Sequence, residues 1–222
     1  MNSPRKRRNH ERKHQTGSWW QQVSGEAILG PLKGRRLRPV PPDELTFATW
    51  KRESPHGRVL RPDERVAAAG NYAAADWEEE VARMPVAVAS NLDDALAPRD
   101  IVIGVSIDGV AKAYPLAALQ RQSPVMDTIG GTPLLIVFAD DKQSVRAFER
   151  IVDGRRLEFF AETDPSTRLV DAETGSDWDF TGTATGGPLK GKQLRKVAVL
   201  KDYWFDWKIY NPRTALYTLG AL

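Results

Sequence analysis

The 222-residue chain contains no cysteine. That absence removes disulfides, thiolate metal sites and cysteine nucleophiles together. Histidine is almost as scarce: His10, His14 and His56 are the full set, and none follows position 56. A Ser-His-Asp triad or a histidine-bearing zinc site confined to residues 57–222 is therefore excluded. His10 and His14 have helical spacing, but two further ligands are missing, so they read as polar tail residues. No apolar run approaches the ~18 residues a membrane-spanning helix requires. Charge imbalance is also small. The chain carries +3 overall, residues 1–14 alone carry +5, and the remainder is therefore −2. The pI of about 9.1 belongs to a basic N-terminal tail, 1–14, expected to be disordered. Such a tail offers a contact to nucleic acid or an acidic surface; no other partner and no cofactor are indicated. Arg7 and Arg8 are not followed by an apolar stretch, so no export signal is read and a cytoplasmic location is expected.

What is present is ordinary globular composition, 41% hydrophobic and 27% charged, with one phrase written twice. Residues 30–34 and 187–191 both read Gly-Pro-Leu-Lys-Gly. Thr16-Gly17-Ser18-x-Trp20 answers Thr174-Gly175-Ser176-x-Trp178, and Trp50-Lys51 answers Trp207-Lys208. The offset is 158 residues before Gly25 and 157 after it. Glycine supplies backbone angles other residues avoid and proline fixes its own φ, so both phrases predict tight, rigid bends.

Residues 15–40 read as β-like. Asp43 to Glu53 predicts a short helix with Phe47, Trp50 and Lys51 at i, i+3, i+4, stopped by Pro55. Residues 57–100 are the expected linker, with a helix near Asp76–Arg83 capped by Asp76 and a loop over Asn91–Arg99. From Ile101 strands dominate. Ile101 to Ile107 alternate, Asp108-Gly109 turns the chain, and Val110 to Tyr114 returns. Pro133 to Ala139 reads as a strand buried on both faces, followed by Ser144–Arg150. Asp153-Gly154 makes a second hairpin between Phe148–Val152 and Arg155–Ala161.

At Ile101-Val-Ile-Gly-Val-x-Ile-x-Gly-x-Ala-x-Ala-Tyr114-Pro115-Leu116, and again at Asp127-Thr-Ile-Gly-Gly131, the chain resembles DUF3179, a domain family of unknown function. Asp171-x-Glu-Thr-Gly-Ser176-x-Trp178, Gly187-Pro-Leu-Lys-Gly191 and Trp204-Phe-x-Trp207 resemble that family's closing motifs. The resemblance implies a complete domain over 95–217 and a closing segment over 15–60, as in a two-halved member whose first half has lost most of its length. It also implies departures. A His-Glu pair and a Cys-Pro-x-Cys-Gly motif, frequent in the family, would fall at Gln122-Ser123, at Met126 and at Ala139–Gln143. Metal or redox chemistry resting on those groups is not expected here.

Carboxylates remain as catalytic currency. Asp171, Glu173, Asp177 and Asp179 lie within nine residues. As a calcium loop, Asp171, Glu173 and Asp177 lack the glycine at position six and the glutamate at twelve. On a strand, 171/173 and 177/179 would each share a face, as an acid/base pair needs. Turn chemistry is the commoner use of such clusters, and Asp127 before Gly130-Gly131 has the same alternative reading. Lys33 and Lys190 sit between loop glycines whose amides suit an anion, but no Ser/Thr follows as in a phosphate loop. Trp19, Trp20, Trp178, Trp204 and Trp207 suit either a stacking groove or the core, and equivalent placement of Trp50 and Trp207 favours core.

The sequence therefore predicts a mainly β fold, an antiparallel meander closed into a sandwich or barrel, with a few short helices. Its expected parts are the tail 1–14, a partial segment 15–60 packed on the main domain, a linker 61–100 and a β-rich domain 101–222. The expected function is non-catalytic binding or scaffolding. The alternatives are a carboxylate-based hydrolase or calcium-dependent binder on the 171–179 turn, and a fragment with no independent role.

Overall fold

A computed structural model describes residues 10–13, 16–21, 24–38, 40, 42–70, 74, 76–86, 95–161 and 168–219. The chain divides into two compact units, Met1–Pro41 and Pro42–Leu222.

The first unit holds strands β1 (His10–Lys13), β2 (Ser18–Gln21) and β3 (Ala27–Leu29) in one antiparallel sheet of order β1-β2-β3. His10–Lys13, expected as tail, instead pair with β2; residues 1–9 and 14 of that tail lie outside the described residues. Ser18, Trp20 and Ala27 are buried here.

The second unit opens with helix α1 (Phe47–Glu53), where the sequence placed it, with Thr46 as the cap accepting from the Thr49 amide. Helices α2 (Glu64–Ala68) and α3 (Trp77–Arg83) follow, and no residue of either is buried. Asp76 occupies the cap position of α3, but its side chain makes no capping hydrogen bond. Of the expected Asn91–Arg99 loop, residues 91–94 lie outside the described residues.

Strands β4 (Ile101–Ile107) and β5 (Val110–Pro115) form the first hairpin. Asp108 and Gly109 both have positive φ, 49° and 80°, the geometry whose twist matches paired strands. Helix α4 (Leu116–Arg121) leads to β6 (Val125–Ile129), β7 (Thr132–Phe138) and β8 (Val145–Glu149), an antiparallel meander. Short strands β9 (Ile151–Val152) and β10 (Arg155–Arg156) flank the Asp153-Gly154 turn, and β11 (Phe159–Ala161), β12 (Leu169–Asp171) and β13 (Asp177–Trp178) form a small sheet. The chain returns through β14 (Arg195–Val197) and β15 (Leu200–Tyr203) to α5 (Trp204–Tyr210) and β16 (Ala215–Leu216).

Two four-stranded sheets dominate, ordered β14-β8-β7-β6 and β15-β4-β5-β16. Every pairing in them is antiparallel except β16 with β5. One apolar cluster draws on both sheets, with Ile103, Val105 and Tyr114 from one and Leu134, Ile136 and Val145 from the other. The opposite face of β7 and β8 packs against Phe159, Trp178 and Phe180, so the apolar run at 133–139 is buried on both sides as read. The outer face of β4 and β5 receives α5 through Val102, Ala113, Trp204 and Trp207. The fold is mainly β with short helices. The barrel alternative is corrected: each four-stranded sheet among the described residues ends in two unpaired edge strands, so none closes.

Candidate functional site

The twice-written phrase forms the same turn twice. Gly30 and Gly187 have φ of 96° and 76°, and a Cβ on either would collide with Ser18 or Ser176 respectively. That closeness lets the Ser18 hydroxyl accept from the Leu32 amide at 3.1 Å and the Ser176 hydroxyl from the Leu189 amide at 3.0 Å. Downstream, Gly34 N donates to Ala27 O and Gly191 N to Ala184 O, both at 2.8 Å. Helices α1 and α5 occupy residues 157 apart at both ends, and each places its tryptophan carbonyl as acceptor for the cap amide, Ser54 or Asn211. Lys33 and Lys190 are exposed on their turns.

The acidic stretch 171–179 is a folded turn. Asp171 is fully buried and accepts from the Thr174 amide and hydroxyl, the Ser176 amide and the Trp178 indole nitrogen. Asp179 accepts from the Thr181 and Thr183 amides and the Thr181 hydroxyl. Glu173 accepts from the Glu158 amide, tying the turn to the strand before it. Asp177 is half-buried, with a carboxylate oxygen lying 2.3 Å from where a Cβ on Gly186 would stand. Among the described residues no three His, Cys, Asp or Glu side chains converge as a metal site. Trp178 and Trp204 are buried, at 0% and 1% exposure, rather than presented to a ligand.

Two of the family-like motifs meet at Asp127. Its carboxylate accepts from the Tyr114 hydroxyl at 2.8 Å, from the Thr128 amide at 2.7 Å, and pairs with Lys112 at 2.6 Å. The Lys112 ammonium also lies over the Tyr114 and Tyr217 rings, 5.7 and 5.6 Å from their centroids. Partial burial works to raise the Asp127 carboxyl, but Lys112, the Thr128 amide and Tyr114 outweigh it and hold it below the usual range. Burial, then the Asp127 charge, pushes the Tyr114 hydroxyl upward, so it stays protonated as a donor.

The positions where the resemblance would place His, Glu and Cys lie side by side. The Ser123 hydroxyl accepts from the Phe138 amide at 3.2 Å, Gln120 donates to the Lys142 carbonyl at 3.1 Å, and Met126 sulfur accepts from the Phe159 amide. Beside them Ser123, Pro124, Phe138, Arg168 and Phe180 line a cavity of about 100 Å³.

Sequence reasoning missed two heavily bonded side chains, Asp141 and Arg146. Asp141 accepts from the hydroxyls of Thr46, Thr49 and Ser144 and from the Gln143 and Ser144 amides. Burial would raise its carboxyl, but these donors hold it far below the carboxylate range. Arg146, on β8 and only 4% exposed, pairs with Asp43 at 3.1 Å and Glu53 at 2.6 Å while its guanidinium stacks on Phe180 at 4.6 Å. These two side chains fasten residues 43–53 to the β7–β8 turn. Burial, then the neighbouring Asp206 and more weakly Glu44, push Asp202 up to about 7, against an opposing hydrogen bond from the Tyr203 amide.

No curated protein and no solved structure matches the chain. The model of the family described as a protein of unknown function (DUF3179) matches residues 13–214, a span that takes in the paired turns, the Asp127 cluster and the buried Asp171 turn, and the chain belongs to that family.

Proposed function

We infer that this chain is a non-catalytic binding or scaffold module, descended from a duplicated unit, in which the family-like carboxylates serve the fold. The observation that carries this reading is the engagement of Asp127, Asp171 and Asp179, each accepting three or more internal hydrogen bonds or ion pairs. A general acid or base must exchange protons with substrate, and a carboxylate whose lone pairs already face fixed donors is poorly placed to do so. The residues standing where His and Cys would fall make hydrogen bonds within the fold as well.

The test is turnover. The purified chain is expected to be inert toward panels of esters, phosphoesters and glycosides, and calcium is expected to leave its melting temperature unchanged. Turnover abolished by Asp177→Asn, or a calcium-dependent rise in melting temperature, would instead establish the carboxylate hydrolase or calcium binder.

A further inference from the structure

The matched helices α1 and α5 differ in what lies across them. In α5, Trp204 and Trp207 are buried under the β4–β5 hairpin, and the Trp207 ring sits so close to Gly104 that a Cβ there would lie 2.2 Å from it. The strand leading into α5 pairs with β4 in the register Leu200↔Gly104 and Asp202↔Val102. Trp204 N donates to Asp100 O, so residues 200, 202 and 204 turn their backbone groups toward β4. Lys201 faces the other way, its amide reaching the Glu44 carboxylate at 3.4 Å.

Residues 43–47 stand 157 positions before 200–204, and their edges are used unequally. Glu44, counterpart of Lys201, bridges antiparallel to Val145, whose amide donates to the Glu44 carbonyl at 2.8 Å. The backbone of Asp43, Leu45 and Phe47, counterparts of 200, 202 and 204, therefore points to the opposite edge. Among the described residues the Leu45 and Phe47 amides have no backbone partner there. On the same side Phe47 is 62% exposed where its counterpart Trp204 is 1% exposed. Phe47 stacks on half-buried Trp50 at 5.5 Å, and the Trp50 ring lies over Gly57, where α5 has Thr214 accepting from the Trp207 indole.

An extended segment whose outer edge has no backbone partner among the described residues and an exposed aromatic helix face thus coincide, at positions whose counterparts are both covered by one hairpin. We propose that residues 43–50 form a docking surface for a β-hairpin of the β4–β5 kind, presented by another polypeptide. The occupant pairs one strand with the 43/45/47 edge and sets a glycine against Trp50, with small or β-branched residues against Phe47, as Val102, Gly104 and Ala113 do against α5. A second copy of this chain is a poorer occupant, because its own hairpin already lies across α5. The proposal rests on the binding-module reading above and names the partner that reading leaves open.

The probe is a synthetic peptide of residues 99–117 of this chain, titrated into the full-length protein. It contains no tryptophan, so the Trp50 indole N–H resonance reports on the surface directly. The expected result is saturable binding that shifts this resonance. Phe47→Asp, an exposed change that keeps the native circular dichroism, weakens binding about tenfold or more, as loss of a central aromatic anchor does. A peptide carrying Gly104→Val fails to bind. Absence of saturable binding, or affinity untouched by Phe47→Asp, overturns the proposal. So does concentration-dependent dimerisation of the chain alone that Phe47→Asp abolishes, which assigns the surface to a second copy. Turnover in the substrate panels defeats the non-catalytic reading without touching the titration, so the two failures are told apart.

Discussion

In α5, β4 and β5 lie across Trp204 and Trp207 and leave them 1% and 3% exposed, while in α1 the counterpart Phe47 is 62% exposed and Trp50 is half-buried. The two helices share length, cap geometry and the position of their tryptophan, so local sequence accounts for the helix and not for its burial. Burial comes from whatever strand pair is available, and here one hairpin serves one helix. Attachment differs accordingly. The second helix is held by apolar packing, whereas the first is held by Arg146 and Asp141, two charged groups with their partners in place.

That contrast is open to direct attack. Trp207→Ala is expected to cost about 3–5 kcal/mol, because a fully packed aromatic leaves both a transfer loss and a cavity. Trp50→Ala should cost less, about 2 kcal/mol, since its ring packs against Phe47 and Gly57 and stays partly open to water. Urea titration of both variants measures the gap, and equal losses would mean that α1 is covered after all. Arg146→Met should be comparable, at about 2–3 kcal/mol, because it strands Asp43 and Glu53 while keeping the apolar stem over Phe180. Its signature is selective: proteolysis should cut within 42–60 while 101–219 stays protected.

A pH series gives the next effect. The folded chain holds a proton on Asp202 up to about pH 7, whereas the unfolded chain releases it near the ordinary 3.8. Between those values the native state binds more protons, so stability falls as pH rises through the window. The loss should reach about 2 kcal/mol after screening by nearby water, and Asp202→Asn should flatten the curve. The smallest effect belongs to the first unit. The Trp178 indole donates to Asp171, but position 13, its counterpart, is lysine, and the Trp20 indole nitrogen is buried without a partner among the described residues. Trp20→Phe removes that donor and keeps an aromatic ring, so it is expected to cost about 1 kcal/mol or less by urea titration, whereas Trp178→Phe costs more because it takes a donor from buried Asp171.

The features legible in the sequence were those written in local chemistry. Asp108-Gly109 and Asp153-Gly154 announced their turns because few other pairs tolerate positive φ. The apolar run at 133–139 announced a strand buried on both faces. Helix α4 escaped notice because it is six residues long, follows Pro115 and has no side-chain cap. Arg146 and Asp141 escaped for another reason. A charged residue in a strand or a turn reads as solvent-facing unless its partners are known, and the partners on residues 43–53 lie some 90 to 100 positions away. At the candidate site the sequence found Asp127, Asp171 and Asp179 but not the amides and side chains that donate to them, because those donors are fixed by how the turns fold.

The Arg146 clamp also bears on the order in which the protein assembles. Residues 43–53 leave the ribosome long before residues 141–146, their binding site, have been made. A seven-residue helix with no tertiary support is marginal in water. The α1 segment must therefore wait, unformed, until the β7–β8 turn is complete, and closing a loop that long is an entropically late event. During synthesis the segment that comes early in the sequence is among the last to acquire its structure.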